Sequence, residues 1–445
     1  ALTTDRCRLL ADPTDLEDDT TLWIGAMHAV SEPSSTYGQE AVNFIELARR
    51  DFAGLTGGLP ATAAGARPRP IGVIACDDHG DYASSAAHLV DTVGVPAILG
   101  FGRSKEVLEL ANQYFVPRGV LALASNTASM LASIPHPPGS PRLVYRVTTS
   151  ADMSSPPTAA FVRAVLEPEL RGPSGPLAAA GTLRIAVVRN SNASGTSHTD
   201  TLFTALARLR PEAAREELRQ FVVEDGHTSD PEALARLADE VVGFAPHIVL
   251  DGGAPAEIPL YIERRWSGAP RPDYAFGSLD PAIARQVAGE QPDFHRRFHI
   301  IETRGNATEE KVIAHYRERF PGGDPGDLSP TPYDAFYVLA YAAIAVGDRP
   351  ITGRNLADAI ARLVPPGEPL DVGPNGIYPA LKVLARGGNI DLRGTITTLD
   401  FDRETGDATA DFTVYCIDPT GTARHESDGR FDARSGQLHG AARCP

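Results

Sequence analysis

PIGVIACDD, residues 70–78, runs apolar or small without polar interruption until it ends in two carboxylates. A half-solvated strand alternates with period two, so an unbroken run of this length predicts a strand covered on both faces, as in a parallel sheet with crossover helices. Runs of the same kind lie on either side of it: TLWIGAMHA (21–29), VPAILGFG (95–102), GVLALAS (119–125) and LVYRVTT (143–149). Between them fall stretches of helical period, AVNFIELARRDF (41–52), YASSAAHLVDTV (82–93) and VLELANQYF (107–115). Strand and helix alternate throughout, which predicts a doubly wound α/β unit.

The order then repeats. RIAVVRN (184–190), QFVVED (220–225), HIVLDGG (247–253), DYAFGS (273–278) and FHIIET (298–303) read as strands. The helix predicted over 230–243 opens on Asp230 and Pro231, an N-cap followed by a first-turn proline. Two Rossmann-like lobes in tandem are therefore expected. Three more helices follow at 307–320, 332–346 and 353–363. The stretch 399–418 alternates around a Glu-Thr-Gly-Asp turn and reads as a hairpin. Segments rich in Gly, Pro and Ala at 53–70, 133–141, 171–182, 321–332 and 364–376 read as loops.

The length of 445 residues allows roughly two to four domains. A formal charge of -16 repels phosphate backbones and anionic lipid, which argues against a nucleic-acid partner. No apolar run approaches the roughly 20 residues of a membrane helix. The chain opens at Ala1 without a basic and apolar leader, so a signal peptide is expected to have been removed or never to have existed. Residues 1–20, with Asp12, Asp15, Glu17, Asp18 and Asp19, read as an acidic solvated extension anchored through Cys7. The four cysteines, Cys7, Cys76, Cys416 and Cys444, include no C-x-x-C pair. One or two disulfides in an oxidising compartment fit this pattern, and so do buried free thiols.

Catalytic signatures are missing: no phosphate loop, nucleophile elbow, H-E-x-x-H or G-x-G-x-x-G occurs. His295 and His299 have metal-like spacing, but Phe298 to Thr303 reads as a strand, which would turn the two rings apart. Asp77, Asp78, His79 and Asp81 form an acidic cluster without further ligands and read as a solvated loop. Asp400, Asp402, Glu404 and Asp407 imitate a calcium loop but lack its central glycine and terminal glutamate, and read as a charged turn. Neither a metal nor a cofactor is expected, and no enzymatic activity. What remains is binding. Ligands of doubly wound sheets sit beyond the carboxyl ends of the strands, where free helix N-termini attract anions. Ser104 and the run Ser125-Asn126-Thr127-Ala128-Ser129 lie at such ends and suit a carboxylate; the same residues also fit a helix N-cap and a capping turn.

The chain resembles the type I periplasmic solute-binding proteins, specifically the branched-chain amino acid (leucine/isoleucine/valine) binding family of ABC transporters. The resemblance spans about 21–418. It rests on IGAM with Tyr37-Gly38 downstream, Asp77-Asp78, LGFGRS (99–104), the turn at 125–129, and Asp152 followed by PPTAA (156–160). RIAVVRNSNASG (184–195), IVLDGG (248–253), TPYDAFYVLAYA (331–342), GRNLADAIARL (353–363) and LDFDRETGD (399–407) complete it. It implies two lobes joined by a hinge of three crossovers, near Asp152, near Thr303-Arg304 and near 411–416, with a ligand cleft between them. Lobe 1 is then 21–152 plus 304–412, and lobe 2 is 153–303 plus 413–445.

Family ligand positions carry over unevenly. Ser104 matches the serine that holds the ligand carboxylate, Thr127 or Ser129 the threonine of the next turn beside Asn126, and Tyr37 a tyrosine lining the cleft. In lobe 2, Ser194 and Ala254 stand where aromatics pack on the ligand in relatives. Leu279 falls at the acid that pairs with the ligand ammonium, with Asp280 adjacent. These departures leave carboxylate recognition as the implied chemistry and put branched-chain specificity in doubt. Gly80 and Arg103 occupy the places of the family's usual lobe 1 disulfide. The pairing expected instead is Cys416 with Cys444, and secondarily Cys7 with Cys76. The resemblance implies a monomeric extracytoplasmic protein, with or without a lipid anchor, that presents an amino acid or related carboxylate to an ABC transporter permease. A ligand-sensing regulatory module on the same fold is the alternative.

Overall fold

The computed structural model describes residues 1–445 except 32–36, 62–64, 102, 126–130, 132, 178–180, 213, 269, 324, 326–327 and 445. The chain forms two units, Ala1–Thr149 with Gly305–Thr409 (lobe 1), and Ser150–Arg304 with Ala410–Pro445 (lobe 2), so it passes three times from one to the other.

In lobe 1, strands β1 (Cys7–Leu10), β2 (Leu22–His28), β3 (Ile71–Asp77), β4 (Ala97–Gly100), β5 (Leu121–Ala124) and β6 (Val144–Arg146) form one sheet in the order β1-β3-β2-β4-β5-β6. All neighbours are parallel except β1, which runs antiparallel on β3 with Cys7 opposite Cys76. The period-two alternation hidden in PIGVIACDD becomes visible here. Val73 and Ala75 enter the apolar cluster on one face, Ile74 and Cys76 the cluster on the other. Burying a side chain such as Ile74 contributes about 1.5–3 kcal/mol, and no face of this strand is left to hold polar residues. Helix Thr331–Val346 is apolar around nearly its whole circumference and is buried accordingly. Its one carboxylate, Asp334, accepts the Thr395 backbone N–H and hydroxyl, both at 2.8 Å.

In lobe 2, β7 (Leu183–Asn190), β8 (Glu216–Val223), β9 (Ile248–Asp251), β10 (Asp273–Phe276) and β11 (Phe298–Thr303) are parallel in the order β8-β7-β9-β10-β11. Ile185 and Val187 face one apolar cluster, Ala186 and Val188 the other. The antiparallel strands β14 (Phe412–Ile417), β15 (Arg424–Asp432) and β16 (Gln437–His439) extend the sheet beyond β11. A separate parallel pair in lobe 1, β12 (Glu368–Asp371) and β13 (Ile390–Arg393), occupies part of what the sequence presents as a loop.

Two expectations are corrected. Residues 1–20 are not a separate extension: β1 pairs along β3, Cys7 is bonded to Cys76, and Asp12 and Asp15 lie against buried Arg49 at 3.3 and 3.5 Å. The acidic cluster answers a guanidinium that sequence spacing does not reveal. The stretch 399–418 is not a hairpin either. Its turn docks on β6, where the Arg146 N–H donates to the Gly406 carbonyl at 2.8 Å, and only Phe412–Ile417 is a strand, paired with β11 and β15. Both cysteine pairs are disulfides, Cys7–Cys76 and Cys416–Cys444.

Candidate functional site

Counted along its parallel strands, each lobe has the order 2-1-3-4-5, which reverses between β2 and β4 in lobe 1 and between β7 and β9 in lobe 2. Beyond the carboxyl ends at such a reversal, crossovers leave to opposite faces and open a crevice.

In lobe 1, β2 ends at His28 and β4 at Gly100. Gly100 has φ +115°, and a Cβ there would come 2.3 Å from the Met27 carbonyl and 2.7 Å from His28 Nε2, so the turn requires glycine. His28 is buried, and burial pushes its imidazole down to about 4, so it is neutral. The chain then enters helix Ser104–Leu110. Arg103, not Ser104, is the N-cap, its N–H donating to Glu106 Oε2 at 3.2 Å. Ser104 is the first helical residue and half-buried, among the N–H groups a helix leaves unpaired in its first turn. Tyr37 opens helix Tyr37–Thr56 beyond the end of β2, with 49% of its surface exposed. Gly38 lets that helix start against the strand end, since a Cβ there would lie 2.2 Å from the Ala29 carbonyl. Asn126, Thr127 and Ser129 lie outside the described residues.

The acidic cluster after β3 divides into separate roles. Asp77 Oδ1 accepts the Ser31 and His79 N–H groups, and Asp81 caps the next helix through Ser84 N–H at 3.0 Å. Asp78 is wholly buried and hydrogen-bonded to Glu106. Burial first, then the Asp78 charge, holds the Glu106 carboxyl well above its ordinary value. Sequence reading missed Glu106, because its partner is distant in the chain. In the other candidate clusters, Asp402 closes its own turn and Asp407 pairs with Arg146. His299 is buried in β11 against the Tyr274 carbonyl, while His295 meets the Pro292 carbonyl. No group of three metal-ligating side chains occurs among the described residues.

In lobe 2, β7 ends at Asn190. Asn192 then caps helix Ala193–Arg208, its side chain accepting from the Gly195 N–H at 2.9 Å, and Ser194 sits half-buried in the first turn. Beyond β9, Asp251 binds its own loop and the next: Oδ1 accepts the N–H groups of Gly253 (2.7 Å) and Ala254 (2.8 Å), and Oδ2 that of Gly277 (3.0 Å). Ser194 and Ala254 thus follow adjacent strands at the reversal. Asp280 stands after β10, one strand further, and caps helix Pro281–Glu290 by accepting Ala282 and Ile283 N–H at 2.7 and 3.2 Å. Sequence reading missed His198. It is buried, 3.1 Å from Ser154 Oγ, and held below its ordinary pKa by burial against the opposing pull of Asp251 and Asp152. Buried Asn190 Oδ1, Thr199 Oγ1 and Asp152 Oδ1 have no hydrogen-bond partner among the described residues.

Two lobes of this topology, joined by three crossings, define the type I fold of periplasmic solute-binding proteins. No family model matches the chain, and no curated protein matches it. Solved structures do. A solute-binding protein of an ABC transporter from Rhodopseudomonas palustris BisB5, in complex with 3,4-dihydroxybenzoic acid, is 15% identical with TM-score 0.62, over 93% of this chain and 98% of the other. An ABC transporter substrate-binding protein from Desulfitobacterium hafniense in complex with Leu is 12% identical with TM-score 0.57, over 92% and 100%. A solute-binding protein from R. palustris in complex with benzoate is 13% identical with TM-score 0.59, over 96% and 97%. Identity this low shows a shared fold. No helix among the described residues is long and apolar enough to cross a membrane.

Proposed function

We propose that this chain is an extracytoplasmic solute-binding protein that captures a small carboxylate, an amino acid or an aromatic acid, and delivers it to an ABC transporter permease. The observation that carries this reading is the position of Ser104, in the first turn of the helix beyond the β2/β4 reversal, where a hydroxyl and a helix N-terminus suit a carboxylate. The three neighbours named above hold Leu, 3,4-dihydroxybenzoic acid and benzoate, which have a carboxylate in common. Tyr37, Ser194 and Ala254 follow the reversal strands of their own lobes and are proposed to line the site with Asn126, Thr127 and Ser129. Asp280, already capping a helix, is proposed as the partner of a ligand ammonium. The proposed action is capture and release without chemical conversion, by a monomer.

A thermal-shift panel of amino acids, benzoates and small dicarboxylates tests this reading. Ligand at 100 times its dissociation constant adds about 2.7 kcal/mol to folded-state stability, so at least one carboxylate should raise the melting temperature. No shift across the panel removes the proposal.

A further inference from the structure

Lobe 1 contains a cavity of about 600 Å³ that none of the residues at the ends of β2 and β4 lines, within the roughly 300–1,000 Å³ usual for small-molecule sites. Its walls are helix Ala307–Arg319, the first turn of helix Thr331–Val346, the segment from Pro369 to Gly376, and Arg393 of β13. Its lining residues His315 and Tyr333 converge on Asp51, which lies in the penultimate turn of helix Tyr37–Thr56, roughly 20 Å along the axis from Tyr37. The Asp51 carboxylate is saturated there. It accepts from Tyr333 Oη at 2.5 Å and Tyr337 Oη at 3.1 Å and meets His315 Nε2 at 3.1 Å.

Among the described residues, the charges that line the cavity are therefore Lys311 and Arg393 against one acid, Asp371. Among the described residues the ion pair that Arg393 makes is a long one, 3.9 Å to Asp391. Helix Pro374–Ala385 begins in the wall with no side chain capping it, so its positive end adds to the same field. Val312, Leu370 and the Tyr333 ring supply apolar surface. Beside Gly376, 3.6 Å from where its Cβ would stand, the Tyr341 hydroxyl is fully buried without a hydrogen-bond partner among the described residues.

We propose that this cavity is a second ligand site, which takes a small organic anion: an acidic group held between Lys311 and Arg393, on an apolar or aromatic body packed against Val312, Leu370 and Tyr333. It is independent of the site proposed at the strand ends. A carboxylate and a phosphate monoester share the required chemistry, so two bromine-labelled probes, 4-bromobenzoate and 4-bromophenyl phosphate, separate them.

Crystals of the full chain soaked with each probe should show an anomalous bromine peak inside the cavity for at least one. Calorimetry with that probe should show affinity falling about tenfold or more in Lys311→Ala/Arg393→Ala, since a hydrogen bond to a charged group contributes about 1.5–3 kcal/mol. Both proteins carry Ser104→Ala in this comparison, so that carboxylate held at the end of β4 does not contribute the measured heat. Bromine found only at the strand ends or nowhere overturns the proposal, as does unchanged affinity in the double variant. The crystallographic readout uses the unsubstituted protein, so a variant that fails to fold does not affect it.

Discussion

Arg146, wholly buried at the end of β6, donates from Nε to Asp407 Oδ1 at 2.8 Å across 261 positions of sequence. With the Arg146 N–H on the Gly406 carbonyl, it clamps the turn that precedes the chain's last passage out of lobe 1. Removing Asp407 leaves an uncompensated buried guanidinium. Breaking such a pair costs about 3–5 kcal/mol, and the partial exposure of Asp407, 19%, places the expected loss for Asp407→Ala near the lower end. Urea denaturation measures it. Arg146→Met/Asp407→Ala, which carries no orphan charge, should lose less than Asp407→Ala alone; an equal or greater loss would refute the clamp.

Burial pushes the His299 imidazole down to about 4, from an ordinary value of 6.5. The unfolded chain therefore takes up this proton before the folded one does. The stability contributed by the neutral buried ring is complete above pH 6.5 and is lost as pH falls toward 4. Asp334 and Asp273, raised to about 7 by burial, act in the opposite sense across much of the same window. The informative quantity is thus the difference between wild type and His299→Gln, followed by denaturant midpoints from pH 7.5 to 4.5. It should shrink as pH falls, and a pH-independent difference would contradict the assignment.

Both disulfides are expected to stabilise the fold, the one closing the longer loop by more. Cys7–Cys76 spans 69 positions and Cys416–Cys444 spans 28. Chain-entropy arguments give about 4.4 and about 3.6 kcal/mol for loops of those lengths. Paired Cys→Ser variants compared by chemical denaturation should follow this order, and the reverse order would show that the entropic term does not dominate.

Asp280 caps a helix, so Asp280→Ala should cost about 0.5–2 kcal/mol of stability, whereas Asp280→Asn, which can still cap, should cost little. The two variants also separate capping from ligand recognition. If Asp280 pairs with a ligand ammonium, Asp280→Asn weakens amino acids more than the matching carboxylic acids. Equal affinities for both classes in wild type and Asp280→Asn would leave it as a cap alone.

The parallel strands were legible because burial on both faces leaves continuous apolar runs, as in PIGVIACDD. The short edges were not. β1 is four residues long, and β15 is exposed along most of its length, so neither carries a run to read. The site divided in the same way. Ser104 was locatable because LGFGRS encodes a turn that only glycine fits at position 100. The Asp78–Glu106 carboxyl pair, and His198 between Asp152 and Asp251, depend on partners brought together by folding, and no spacing in the sequence signals them.

The most direct test of the binding function is calorimetric titration of the purified full chain, in the Lys311→Ala/Arg393→Ala background, with leucine, benzoate and 3,4-dihydroxybenzoate. At least one should bind with a stoichiometry of about one, and Ser104→Ala should then weaken it by about 1–3 kcal/mol. Absence of binding by all three, or binding indifferent to Ser104, would contradict carboxylate capture at the end of β4.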